Sequence, residues 1–340
     1  MSQTSREGGR RGRTYRAALR LFAVTALLLA AAAPAFAQTA TSSLPVLYRL
    51  DQGTAYEQGC FPPCLCPVLF NEAVKGTFVL TPAGVGPLFT TYTVTGINWM
   101  VTLGGTDTFI TGSGTYRIGG EFALQQELTL DLKVGDNKVE RFTSGLVTGP
   151  APFPAIAITI SMNNQTCYDT VFRVKASPVP RDQVVPYSLG GKSTFQRGCF
   201  GMCDCAVGQP LPIKGNFALV MLSPPEAPSR QYAVVDVAWL VPKNSRTAST
   251  TNAIPIRGAG FYTFGGEVAL QQRLLLLLSV GQEAPARFDS GWIAGGDGFP
   301  RIDALVSQNA LRCFDTVIDV HAEPRPTLIR RPPFPDATTP

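Results

Sequence analysis

The sequence predicts an all-β protein made of two tandem antiparallel β-sandwich or barrel domains, and three observations carry that expectation. The stretch Gly114 to Gly135, GTYRIGGEFALQQELTLDLKVG, returns at Gly260 to Gly281 as GFYTFGGEVALQQRLLLLLSVG, with 14 of 22 positions identical. Apolar residues within each copy alternate with period two and are broken by Gly, Pro, Asn and Asp at short intervals. Cys60, Cys64, Cys66 and Cys167 find counterparts in Cys199, Cys203, Cys205 and Cys313, so the repeat extends over a whole module.

In chain order, residues 1–37 carry the pattern of a secretory signal peptide. Six arginines precede an apolar run from Leu21 to Ala33, and Ala35-Phe36-Ala37 supplies a small-x-small cleavage site. The run of about 13 residues is shorter than the roughly 20 that a membrane-spanning helix needs. Export would place the product in a secreted or periplasmic compartment, where thiols oxidise. Cleavage after Ala37 also removes six Arg and one Glu, which accounts for the whole formal charge of +5 and leaves 23 basic against 23 acidic residues. A neutral mature chain gives no electrostatic reason to expect a nucleic-acid partner.

Module 1 is expected over 43–176 and module 2 over 187–323, joined by a Pro-rich linker at 177–186 and followed by a Pro-rich disordered tail at 324–340. Leu128, Leu130, Leu132 and Val134 alternate with Thr129, Asp131 and Lys133, the pattern of a strand with one buried and one wet face. Ile156, Ile158 and Ile160 repeat it. In the second copy the outward Thr129 and Asp131 become Leu275 and Leu277. That apolar outer face calls for a cover: module 1, another subunit, a partner, or a loop of its own domain.

Four cysteines per module in an exported chain predict two disulfides each. A Cys64–Cys66 pairing is disfavoured, because alternate residues of a strand sit near the upper limit of disulfide Cα spacing. A turn at Phe61-Pro62-Pro63 would bring Cys60 back to Cys64 or Cys66 and leave the other thiol for Cys167. The rival is a thiolate copper or zinc site on the same eight cysteines, but Cys-x3-Cys-x-Cys matches neither zinc-module nor ferredoxin spacing.

Acid–base chemistry is thinly supplied. The single histidine, His321, has Lys175 as its equivalent in module 1, so no histidine mechanism serves both modules. Glu121 with Glu267, Gln125-Gln126 with Gln271-Gln272, and Asp169 with Asp315 recur in both copies. A Glu121/Asp169 pair would suit a carboxylate-dependent hydrolase; the rival reading puts Glu121 in a turn and uses Asp169 to fix backbone amides. Gly119-Gly120 and Gly265-Gly266 read as turns or bulges. Trp99 and Trp239 recur in apolar surroundings and are expected in the core, whereas Trp292, flanked by Gly291 and Gly295-Gly296, is a candidate for stacking on a ligand, beside Glu121 and Glu267. Asn164-Gln165-Thr166 fits a glycosylation sequon. The functional expectation is an exported, non-enzymatic binding or structural protein without a cofactor. Its two copies would suit a glycan, a surface polymer or a protein partner.

Overall fold

The computed structural model describes residues 44–66, 70–149, 152–201, 203, 205–224, 226–242, 253–295 and 298–325. The expected signal peptide and all but the first two residues of the Pro-rich tail lie outside them. Ten strands make the first half: β1 (Val46–Leu50), β2 (Ala55–Phe61), β3 (Phe70–Val85), β4 (Phe89–Leu103), β5 (Thr106–Gly119), β6 (Gln125–Val134), β7 (Glu140–Thr143), β8 (Val147–Thr148), β9 (Ile156–Ser161) and β10 (Cys167–Pro178). The second half holds β11 (Val184–Leu189), β12 (Thr194–Phe200), β13 (Leu211–Pro212), β14 (Lys214–Met221), β15 (Ser229–Pro242), β16 (Ala253–Gly265), β17 (Gln271–Val280), β18 (Ala286–Asp289), β19 (Ile293–Ala294), β20 (Ile302–Ser307) and β21 (Cys313–Pro324).

Each half closes on itself. In the first, the antiparallel pairings run β10-β2-β3-β4-β5-β6-β7-β9 and return from β9 to β10, while β1 fills the same slot as β2 by pairing with β10 and β3. The second ring runs β11-β14-β15-β16-β17-β18-β20-β21 and back to β11, with β12 paired to β21. Two barrels, rather than two sandwiches, are therefore present. Each is closed at its narrowest by one residue pair, Thr143 with Ser161 and Asp289 with Ser307.

An eight-stranded ring is just wide enough for side chains to fill it. Leu128, Leu130 and Leu132 point inward with Phe142, Ile158, Ile160 and Phe172, and their counterparts Leu274, Leu276 and Leu278 do the same in the second barrel. Trp99 and Trp239 are each 1% exposed and meet Phe78 and Phe217 edge-on. Close approach explains one recurring glycine pair. At Gly76 and Gly215 (φ +143° and +150°) an added Cβ would press into the carbonyl oxygens of Asn98 and Ala238.

The cysteines pair as Cys60–Cys66 and Cys64–Cys167, and again as Cys199–Cys205 and Cys203–Cys313, with Cα separations of 4.9 to 5.4 Å. The turn at Phe61 is closed by a hydrogen bond from Cys64 N to Phe61 O at 3.1 Å. Long bridges spanning 103 and 110 residues tie the turn after the second strand of each barrel region to its last strand. Each contributes at most about 4 to 5 kcal/mol by restricting the unfolded chain.

The linker and the tail differ from expectation at their edges. Ser177 and Pro178 finish β10, residues Arg181–Gln183 form one 3-10 turn, and Val184 to Pro186 open β11. Val179 is only 8% exposed and packs with Val220, Ala233 and Val235, so burial of its side chain fixes the connector in place. Pro324 pairs with Tyr187 at the end of β21, where proline is tolerated, and Arg325 N donates to Pro186 O.

Candidate functional site

Of the polar residues that recur between the copies, the aspartates and the second glutamine of each pair are held in structural roles. Asp169 is 2% exposed, and its carboxylate accepts the backbone N–H groups of Met162, Asn163, Gln165 and Thr170 at 2.7 to 3.2 Å. Asp315 repeats this with Gln308, Asn309, Leu311 and Thr316. Both loops need it, because Asn164, Gln165, Ala310 and Leu311 all adopt left-handed φ of 51° to 58°. Gln126 and Gln272 point inward, accept from Tyr116 and Tyr262, and donate to the carbonyls of Ala157 and Asp303. Glu121 and Glu267 are exposed on the β5–β6 and β16–β17 turns. There Gly120 and Gly266 (φ +124° and +144°) allow the chain to pass the carbonyls of Ala123 and Ala269. Trp292 is 54% exposed, with the Arg273 guanidinium 5.9 Å from its ring centroid.

The outer face of the second barrel is covered by the first. Leu275, 2% exposed, and Phe261 pack with Met100 and Phe109, and Leu277 lies at the edge of that cluster. Polar contacts frame it. Asn98 Nδ2 donates to Gly260 O at 3.0 Å, Lys75 Nζ to Gln231 Oε1 at 2.5 Å, and Arg273 Nη1 to Asp107 Oδ2 at 2.8 Å. Arg273 and Arg287 both also bind Asp289. Burial alone would raise the Asp289 pKa, but these hydrogen bonds and that of Gly291 N bring it down to about 2. Burial lowers the Lys75 pKa, against the pull of Asp107.

Where the barrels meet at β1 they enclose a cleft of about 560 Å³. The end of β1 and the following turn supply Arg49, Asp51 and Gln52; the 3-10 turn supplies Asp182 and Gln183; β14, β15 and the segment between them supply Met221, Leu222, Ser223 and Tyr232. Arg49 joins the three parts, since its Nη1 donates to Met221 O at 2.9 Å and to Gln183 Oε1 at 3.4 Å. Asp51 Oδ1 accepts the Ser177 hydroxyl at 2.7 Å. The buried Tyr232 hydroxyl makes no hydrogen bond. Its pKa is raised by burial, a rise that the nearby Arg230 guanidinium opposes.

A second cavity, of about 520 Å³, surrounds His321. Its Nδ1 meets Asp303 Oδ1 at 2.5 Å and its Nε2 meets Asp319 Oδ2 at 3.2 Å. Burial pulls the His321 pKa down, but the two carboxylates outweigh it and raise the value. Both ring nitrogens are thus engaged, an arrangement that fixes an imidazolium rather than presenting a base.

Neither Glu121, Glu267 nor Trp292 lines the cleft between the barrels. Sequence reasoning missed Arg49, Asp51, Asp182 and Tyr232 because they come from three separate segments and belong to no shared motif. The sulfurs are engaged in disulfides, and among the described residues no group of three or more His, Cys, Asp or Glu is placed to hold a metal ion. Compared with protein-family models, curated proteins and solved structures, the chain shows no match.

Proposed function

We propose that this chain is an exported, non-enzymatic binding protein whose two disulfide-stapled barrels form one rigid unit and hold a ligand in the cleft between them. The observation that carries the reading is the joint itself. The second barrel has an apolar outer face where the first has a polar one, and the contact built there fixes the walls of a cleft of ligand size, at the kind of boundary where binding sites concentrate. The disulfides and the lack, among the described residues, of any helix long and apolar enough to cross a membrane suit an extracellular or periplasmic setting. A hydrolase built on Glu121 and Asp169 fits less well, since the Asp169 carboxylate is spent on four backbone amides. A thiolate metal site would require reduced bridges.

The test is a binding screen by thermal shift, with cell-wall saccharides, amino acids and small peptides, on the exported chain and on Ser223→Trp, which fills the cleft. Binding that the substitution removes supports the reading. Binding that survives in Ser223→Trp, or none to either protein, overturns it.

A further inference from the structure

The lining of the inter-barrel cleft points to a ligand class, and this step rests on the cleft being the binding site. We propose that it takes a small zwitterion with an apolar body, of the kind formed by an apolar α-amino acid or a dipeptide.

Three features of the wall carry this. At one part of the lining, Arg49 is held by two hydrogen bonds through Nη1 alone, which leaves Nε and Nη2 able to donate. A guanidinium with free donors suits a carboxylate.

Two carboxylates make the second feature. Asp182 is exposed at the rim and makes no ion pair or hydrogen bond among the described residues, and Asp51 uses one oxygen for Ser177 and keeps the other. With one lining cation against two lining anions, a ligand carrying only negative charge would meet repulsion. An ammonium group answers it.

The third feature is the apolar wall from Met221 and Leu222, which would pack against a side chain of modest size. A simple amine would leave Arg49 unused, a fatty acid would leave the two aspartates opposed, and a neutral sugar would pair with neither charge. The zwitterion satisfies all three features at once.

Titration calorimetry on the exported chain with L-leucine and Leu-Leu, beside N-acetyl-leucine, leucinamide and glucose, tests the class. Binding of the free zwitterions is expected, with roughly tenfold loss when either end is blocked and a similar loss in Asp182→Asn. Asp182 is exposed and has no partner among the described residues, so the melting temperature of Asp182→Asn should match the parent. Blocked analogues that bind as well as leucine, or glucose that binds better, would overturn the ligand class. If another compound binds and Ser223→Trp abolishes that binding, the cleft stands and only the zwitterion falls; if the zwitterions bind equally to Ser223→Trp, both fall.

Discussion

One row of residues separates the two barrels. Around the first barrel, neighbouring strands place Thr81, Thr93, Thr115, Thr129, Thr143 and Ser161 side by side. Around the second, the same register holds Val220, Ala233, Phe261, Leu275, Asp289 and Ser307. The inward neighbours of these rows hardly differ, since Tyr116, Leu128, Leu130 and Leu132 have counterparts in Tyr262, Leu274, Leu276 and Leu278, all buried. Inward positions thus answer to the barrel and outward ones to what covers it. Threonine, β-branched and polar-tipped, suits a wet strand; four apolar residues in its place mark the joint.

The largest expected effect comes from giving the second barrel the residues of the first. Leu275→Thr with Leu277→Asp removes buried apolar surface from Phe109 and Met100 and sets a carboxylate at the edge of the cluster, at a cost of roughly 3 to 5 kcal/mol. The joint should open before the barrels melt. Calorimetry would then show two transitions in place of one, and limited proteolysis should cut near Arg181. The reciprocal change, Thr115→Phe with Thr129→Leu, should leave stability within about 0.5 kcal/mol and cause self-association visible by light scattering. A single unsplit transition in the first variant would mean that the joint contributes little.

Where the barrels are alike, substitutions should cost alike. Asp169→Asn and Asp315→Asn each turn one acceptor oxygen into an N–H₂ group facing a backbone N–H, of Gln165 or of Leu311. Each should lose about 2 kcal/mol by chemical denaturation. Unequal losses would show that one loop is also braced from outside.

Acid should separate the barrels next. Asp289 falls to about 2 in the fold against roughly 3.9 for an unfolded aspartate, so its stabilisation is complete above the unfolded value and fades as pH drops from about 4 towards 2. That amounts to about 2 kcal/mol. Thr143, at the same place in the first barrel, does not titrate. In Asp289→Asn the loss of stability between pH 4 and 2 should be smaller by that amount; an unchanged slope would assign the acid sensitivity elsewhere.

Much of this was legible in the sequence. Period-two runs and turn residues gave the β class, the repeated cysteines gave the staples, and Leu275 with Leu277 stood out because the other copy has Thr129 and Asp131. Closure into barrels was not legible, for alternation is the same in a sandwich and closure depends on single pairs such as Thr143 with Ser161. Nor was the role of the connector: a segment with three prolines reads as a spacer, and only the packing of Val179 against the second barrel shows it to be part of the joint. The cleft was hidden for the same reason, because Arg49, Asp182 and Tyr232 are assembled by the joint and by nothing local.

The smallest expected effect is at His321, whose equivalent is Lys175. Asp303 and Asp319 hold its ring at both nitrogens and raise its pKa, so the contribution to stability is fully present below the unfolded value of about 6.5 and is lost as pH rises through the higher folded value. The side chain is 31% exposed, and solvent screening keeps the contribution under about 1 kcal/mol. His321→Lys installs the first barrel's residue, whose charge persists across that range. Its denaturation midpoint should therefore stay flat between pH 6 and 8 while the parent declines slightly. A parent curve equally flat would mean that the two aspartates hold the ring by hydrogen bonds that outlast its charge, and the histidine would then mark a packing difference between the barrels, with no electrostatic one.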